Sequence, residues 1–476
     1  MKQDLSIGQI SLDRQYKQIK LALAFCVLGF FATVFTGKPL AGAAFGFIPI
    51  IIVLAARSLD YPFELCLAFV IFSFFRIHEV FPVLMPLRIP NTLAIGAFAA
   101  LGWHMFLRRT IKPIWPRELI LFGAFFLHVT MGLPFATDRP AAWEYWQGTY
   151  SKIAVIVFAI AWLMRTERHF RRLMLSVVLA GACVGFVAIY NKLNGIGLVE
   201  ETRVTIGRSF GSALGDPNDL SLVLLFPMAF AASLAMTKGL FKIDRAIGIF
   251  CIPVIMYAVI CTQSRGGLLG SLAVFGAIAN HFIKQKWLLI GGGGIAGFTL
   301  MIAAGISKRA SGGADEEGID ESAMGRLHAW NAAWRMALGR PFTGVGVDNF
   351  YQNYFFYSDH WDGVPHAVHS TWFVVIAESG FPGIIMFVTL FAMAVTGAIG
   401  SLRLLQNAPG VPRALALALV AGLAGFGVSG TFLTQGYTWP FYIMLALVVG
   451  LLKYAKNFDA LHCEKQNIDK TEPRKS

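Results

Sequence analysis

Fourteen apolar runs, each close to the length of a membrane-crossing helix, constrain this chain more than any other feature of its sequence. A hydrocarbon core of about 30 Å is crossed at about 1.5 Å per residue, so a helical span needs roughly 17 to 25 predominantly apolar residues. The runs lie near residues 19–36, 39–56, 64–82, 90–107, 118–136, 150–165, 172–190, 218–236, 246–262, 266–283, 286–304, 371–399, 413–434 and 437–452. Several are short or nearly contiguous, which predicts an all-α polytopic membrane protein with 12 to 14 transmembrane helices. A composition of 56% apolar and 14% charged residues excludes an ordinary soluble domain. The pattern divides the chain into an N-terminal segment 1–18, a first bundle 19–306, a hydrophilic loop 307–368, C-terminal helices 369–452 and a tail 453–476.

Charge asymmetry orients the bundle, because short cytoplasmic connections retain Lys and Arg. One set of connections carries Arg108, Arg109, Lys112, Arg117, Arg165, Arg168, Arg171, Arg172, Lys238, Lys242, Arg245, Lys284, Lys286, Arg403, Arg413, Lys453 and Lys456. The alternate set is sparser: Lys38, Arg88, Arg139, Lys192, Arg203, Arg208 and Arg265. This predicts cytoplasmic termini and an outward-facing loop 307–368. The net charge of +13 is then a topological signal, and no nucleic-acid partner is expected. The first run lacks a small-residue cleavage site and reads as an uncleaved helix. The tail, with mixed charge and low hydrophobicity, reads as disordered.

Five of the six cysteines, Cys26, Cys66, Cys183, Cys251 and Cys261, fall in or beside apolar runs, and Cys463 lies in the tail, so no disulfide framework follows. No CxxC, HExxH, phosphate-binding loop or dinucleotide fingerprint is present, so neither a metal nor a cofactor is expected. Gly291 to Gly294 sit inside a run, where small residues would let helices approach closely.

Outward-facing arginines are the sharpest chemical signal, because a charge held at the membrane boundary needs a partner or a ligand. Arg265 stands in Gln263-Ser264-Arg265-Gly266-Gly267 between two runs, where glycines leave room for a bulky anion; a snorkelling interfacial arginine is the competing reading. Arg203 and Arg208 occupy a second connection that closes with the helix-start signal Asp216-Pro217-Asn218-Asp219. Arg139 belongs to a third, beside Trp143, Tyr145 and Trp146, which read as an interfacial belt or as a sugar contact. Guanidiniums converging on one face suit a phosphate or pyrophosphate, whose oxygens match their planar fork. The carboxylates Asp315, Glu316, Glu317, Asp320 and Glu321 form a solvated, glycine-flanked run that reads as a mobile surface segment.

Within the loop, Ser322 precedes a predicted helix Ala323–Leu338, closed by Gly339 and Pro341. Arg326, Trp330 and Trp334 recur every fourth residue on one face of it, a stripe that suits the membrane surface or a lipid-linked sugar phosphate equally. The glycine-punctuated Pro341 to Phe350 reverses the chain toward the membrane. His366 and His369 follow where the loop re-enters the bilayer, and a neutral imidazole there can accept a proton from an attacking hydroxyl. Glu378, nine residues on, would lie about 13 Å deeper on a regular helix and reads as a packed carboxylate rather than a partner of that base.

The ordered set of a Ser-Arg-Gly turn, a loop helix bearing Arg and Trp, a glycine turn after Pro341, and His369-Ser370-x9-Gly380-x-x-Gly383 resembles the O-antigen ligase family. Its superfamily also holds O-antigen polymerases and bacterial protein O-oligosaccharyltransferases. The resemblance covers roughly residues 200–440, and Gly215-Asp216-Pro217-Asn218-Asp219 is similar to a segment of ligases from exopolysaccharide gene clusters. It implies a glycosyltransferase of the bacterial inner membrane that moves a glycan from undecaprenyl pyrophosphate to an acceptor hydroxyl, foremost lipid A-core, on the periplasmic face without a metal. It further implies that His369 is the histidine required for ligation, Arg265 the arginine of the turn and Arg326 the arginine of the loop. Arg203, Arg208 and Arg139, with Trp330 and His366, are substrate-binding candidates by topology and charge. The rival readings are a polymerase, a protein O-oligosaccharyltransferase, and a transporter of the lipid-linked glycan, to which Arg76, His78 and Glu79 inside the third run lend support.

Overall fold

The structure is a computed structural model that describes residues 57–303, 321–361, 363, 365–408 and 410–471. The runs near 19–36 and 39–56, the N-terminal segment 1–18 and the acidic residues Asp315, Glu316, Glu317 and Asp320 lie outside the described residues. Helices are the regular structure throughout the described residues, together with one isolated bridge between Val199 and Arg203. In chain order they are α1 (Pro62–Phe74), α2 (Ile77–Val80), α3 (Ile89–Gly102), α4 (Arg117–Gly132), α5 (Arg139–Tyr145), α6 (Ser151–Leu163), α7 (Glu167–Leu193) and α8 (Pro217–Met236). There follow α9 (Lys242–Thr262), α10 (Arg265–Phe282), α11 (Lys286–Ala303), α12 (Glu321–Gly339), α13 (Phe350–Tyr357), α14 (Thr371–Leu404), α15 (Gly410–Ser429) and α16 (Trp439–Thr471).

Among the described residues, 7 helices are long and apolar enough to cross a membrane: α4, α7, α8, α9, α14, α15 and the first part of α16. Other predicted runs depart from single spans for visible reasons. The run 64–82 breaks after Phe74, where Arg76 adopts a left-handed φ of 52°, and ends in a 3-10 turn holding Pro82 and Pro86. The run 150–165 is the second half of a longer helical stretch that starts at Arg139 and passes through a π turn, Trp146–Tyr150. The tail predicted to be disordered continues α16 as helix to Thr471. Gly291 to Gly294 do not mediate a close approach, since a Cβ at any of them would meet nothing within 4 Å.

The described residues fall into two units, 57–65 with 92–111, and 66–91 with those from 112 onward. In the first, the π turn after α3 holds His104, whose ring bonds Thr110 Oγ1 (2.6 Å) and the Leu59 carbonyl (3.0 Å). The second unit is built around α8. This helix is apolar on every side and buried along nearly its whole length, as expected of a helix with no polar face. It packs against α7, α9, α10 and α15. Gly270 of α10 allows close approach to two neighbours: a Cβ there would lie 2.4 Å from the Leu225 side chain on α8 and 2.9 Å from Ser429 on α15. At the far end of the bundle Arg171 on α7 grips the fully buried Asp244 of α9 through two bonds of 2.7 and 2.8 Å, leaving no buried carboxylate unpaired there.

Helix α14 carries the connection from this bundle to the loop. Its first segment packs under α12, and it is kinked at Gly380, whose φ of 69° and ψ of −170° only glycine tolerates without strain. A Cβ at Gly380 would also stand 2.5 Å from the Pro341 carbonyl oxygen. Gly380→Ala is therefore expected to destabilise the fold by about 1–3 kcal/mol from backbone strain alone, with the steric clash in addition. A melting temperature in detergent equal to that of the parent protein would contradict this.

Candidate active site

Three helix N-termini meet at one end of the second unit, those of α8, α10 and α14. Asp216 caps α8, its carboxylate accepting from the backbone N–H of Asn218 (2.7 Å) and Asp219 (3.2 Å), with Pro217 in the first turn. Ser264 caps α10 by accepting from Gly267 N–H (3.2 Å). The two caps are joined through the Asn218 side-chain oxygen, which accepts from the Ser264 hydroxyl (2.9 Å) and from Arg203 Nη2 (2.8 Å). The third terminus is tied in by Gln435, whose side-chain amide donates to Asp219 Oδ1 (2.7 Å) while its backbone N–H donates to Thr371 Oγ1 (3.2 Å). Thr371 in turn donates to the Leu433 carbonyl (2.8 Å). Convergent N-termini present N–H groups and positive dipole ends toward one region, an arrangement that suits an anion.

Arg203 is the best anchored cation of this region. The Val199 to Arg203 bridge sets its backbone, and Val204 N–H donates to the Cys261 carbonyl (3.1 Å). Its guanidinium is buried, donating to the Thr262 carbonyl (3.2 Å) as well as to Asn218, with Glu200 3.5 Å away. Arg265 is the first residue of α10, directly after the Ser264 cap. Arg208 is exposed on a 3-10 turn between the left-handed Gly207 and Gly211, and it donates to the Gly215 carbonyl (3.2 Å) beside Asp216. The same turn is fixed from behind: Ser212 donates to Glu79 Oε2 (2.5 Å), and Arg76 donates to Glu79 Oε1 (2.6 Å). The charged residues Arg76 and Glu79, which suggested a transport path, thus brace the arginine-bearing connection.

His369 sits immediately before α14 with a left-handed φ of 44°, a conformation uncommon for a residue with a side chain. Trp330 holds this junction in place. Its indole N–H donates to the Val368 carbonyl (3.0 Å) and its ring stacks on Phe373 at 5.1 Å and 10°. Arg326 lies one turn earlier on α12, so the same latch carries its guanidinium toward the imidazole. Burial and then the positive charge of Arg326 push the His369 pKa below its ordinary value of 6.5, with His366 and Arg203 acting in the same direction and Asp216 opposing them. His366 itself packs edge-on against Tyr354 at 5.3 Å. Arg326, Arg203, Asp216 and His366 are therefore each within electrostatic reach of His369.

Trp330 and Arg139 each have a defined place. The stripe of Arg326, Trp330 and Trp334 does not float on a surface: Trp330 packs on Phe373 and Trp334 meets Phe381 edge-on at 5.6 Å, so both rings dock α12 onto α14. Trp330 is a positioning group held by its own carbonyl partner. Arg139 is exposed at the start of α5, where it lines a pocket with Arg340. Glu378 behaves as the packed carboxylate the sequence suggested, accepting from the backbone N–H groups of Asp348 (3.0 Å), Asn349 (3.1 Å) and Phe350 (3.0 Å). Asn218, Asp219 and Gln435 were missed as site residues. The first two were visible only as a helix-start signal, and Gln435 had no signal beyond being polar between two apolar runs.

Among the described residues, no group of three or more His, Cys, Asp or Glu side chains is placed to hold a metal ion. The chain is thus a helical membrane protein with a cationic, histidine-bearing site at one end of its bundle. Residues 246–388, the segment carrying Arg265, Arg326, His369, Gly380 and Gly383, match the family described as O-antigen ligase, a match that supports membership of that family. At the level of the family, the match supports a glycosyl-transferring enzyme of the membrane. No curated protein matches the chain.

Proposed function

We propose that this protein transfers a glycan from undecaprenyl pyrophosphate to an acceptor hydroxyl, foremost that of lipid A-core, at the periplasmic face of the bacterial inner membrane. The observation that carries the reading is the placement of His369 against Arg326 and Arg203 where three helix N-termini converge. A diphosphate leaves readily once its charge is neutralised, which calls for cations and oriented N–H groups more than for a general acid. Arg326, Arg203 and Arg265, with Arg208 on the adjoining turn, supply that charge without a metal. The acceptor oxygen attacks the anomeric carbon as the bond from that carbon to the diphosphate oxygen breaks, its electron pair leaving with undecaprenyl diphosphate. The acceptor proton passes to His369, and the single displacement inverts configuration.

The lowered proton affinity of His369 has a kinetic consequence. A base must be neutral, so the acidic limb of kcat/KM falls below pH 6.5 when cations depress its pKa. Arg326→Gln removes the largest of the charge effects and should move that limb upward in pH, besides lowering the rate. An unmoved limb in that variant would separate His369 from the ionisation that controls activity.

The reaction itself is tested with the purified protein, an undecaprenyl-pyrophosphate glycan as donor, and three arms: lipid A-core, a Ser/Thr peptide, and donor alone. Transfer to lipid A-core is expected. Glycosylation of the peptide would assign a protein O-oligosaccharyltransferase, lengthening of the donor glycan would assign a polymerase, and no covalent product in any arm would overturn the enzymatic reading in favour of transport.

A further inference from the structure

A second cationic pocket, of about 740 Å³, opens beside the end of α4 and is lined by Pro134 to Pro140, Arg340 and Thr343. It contains none of the residues of the His369 cluster. Two arginines from distant parts of the chain meet there. Arg340 follows α12 and donates through Nη1 to the Phe135 carbonyl (2.7 Å), which fixes its guanidinium on the pocket wall. Arg139 is exposed on the opposite segment.

The spacing of the two arginines is set by the backbone beneath them. Thr137 N–H donates to the Val345 carbonyl (2.9 Å), Asp138 N–H to Asn349 Oδ1 (2.6 Å), and Asn349 Nδ2 to the Asp138 carbonyl (3.2 Å). Thr137 Oγ1 adds a bond to Asn349 Oδ1 (2.8 Å). The pocket rim is therefore preorganised rather than a meeting of two free loops. Its one carboxylate, Asp138, accepts from Ala141 N–H (3.0 Å), and among the described residues neither Arg139 nor Arg340 is paired with an acid. Arg340 is held at the wall by its bond to Phe135, and an anion between it and the exposed Arg139 would be recognised by both guanidiniums.

We propose that Arg139 and Arg340 form a phosphate-binding site distinct from the His369 cluster. Its level in the membrane fits that ligand. The pocket lies where the candidate span Arg117–Phe135 ends, and the adjacent Trp143 is exposed and stacked on Trp146 at 5.2 Å, as interfacial aromatics are. A phosphate can reach this level on the headgroup of an anionic lipid or on a phosphorylated sugar, and the chemistry recognised is the same.

The test uses the full-length protein in a neutral detergent. Binding of dioleoylphosphatidate is measured by native mass spectrometry against dioleoylglycerol, which has the same tails without phosphate, and binding of inorganic phosphate is measured by calorimetry. The parent protein should prefer phosphatidate, and Arg139→Ala with Arg340→Ala should weaken binding at least tenfold. Arg139→Ala alone, at an exposed position, should give a large part of this loss, and Arg340→Lys should retain binding. Arg335→Ala, at an exposed arginine paired with Asp359 and outside both sites, should leave it intact. Arginine-dependent capture of phosphatidate alone assigns a lipid headgroup, and capture of inorganic phosphate as well assigns a soluble phosphate. Undiminished binding in the double variant, or an equal loss in Arg335→Ala, overturns the site.

Discussion

His369→Ala is expected to lower glycan transfer by about 10²- to 10⁴-fold, the range that a positioned acid–base group contributes. The donor should still bind, because the cations around the imidazole are anchored independently of it: Arg203 on Asn218 and Thr262, Arg326 on the helix that Trp330 latches to Val368. Measuring turnover and donor affinity together separates the two roles. Loss of donor binding in step with activity would make His369 a ligand of the diphosphate, and full activity would remove it from the mechanism. His369→Gln retains a hydrogen-bonding group without a titrating ring, so partial rescue by glutamine would identify orientation of the acceptor as a share of the effect.

The largest effect on stability is expected at Glu378. Its Oε1 accepts from the N–H groups of Asn349 and Phe350 and its Oε2 from that of Asp348, so one buried side chain satisfies the first turn of α13. Glu378→Ala leaves three donors without a partner in a dry interior, each costing about 1–3 kcal/mol. The variant should therefore lose at least about 3 kcal/mol and melt well below the parent protein in the same detergent. Glu378→Gln keeps an acceptor oxygen for two of the three and should fall between. An alanine variant that melts with the parent would show that the loop is held without this carboxylate, chiefly by the backbone bonds from Val345 to Ala377 and from Phe381 to Pro341.

Much of this architecture was readable because apolar periodicity reports burial directly. The loop helix predicted over Ala323–Leu338 is Glu321–Gly339, since a serine before it and Gly339 with Pro341 after it terminate hydrogen bonding locally. His369 at the mouth of a span, and Arg326 on a helix of the loop, were equally local deductions. What escaped were partners. Gln435 bonds a residue 216 positions away, and no spacing within one segment signals such a pair. The Trp330 and Trp334 stripe was visible, but whether it faces lipid, sugar or protein depends on Phe373 and Phe381, which lie on another helix. Arg139 was sorted with the other outward arginines because charge asymmetry reports a side of the membrane and not a position along it. The break at Arg76 was missed because Arg76, His78 and Glu79 interrupt an otherwise apolar run too briefly to change its average, although Arg76 leaves the helical conformation.

The kink in α14 separates two mechanical duties. Its 34 residues would extend about 51 Å if straight, well beyond the roughly 30 Å of a hydrocarbon core. Above Gly380 the helix is fastened to the loop and to Leu433 and Gln435. Below it, an uninterrupted segment runs on to Leu404 and can lean as bilayer thickness changes. The glycine joint thus sets the direction of the lower segment separately from that of the end bearing His369.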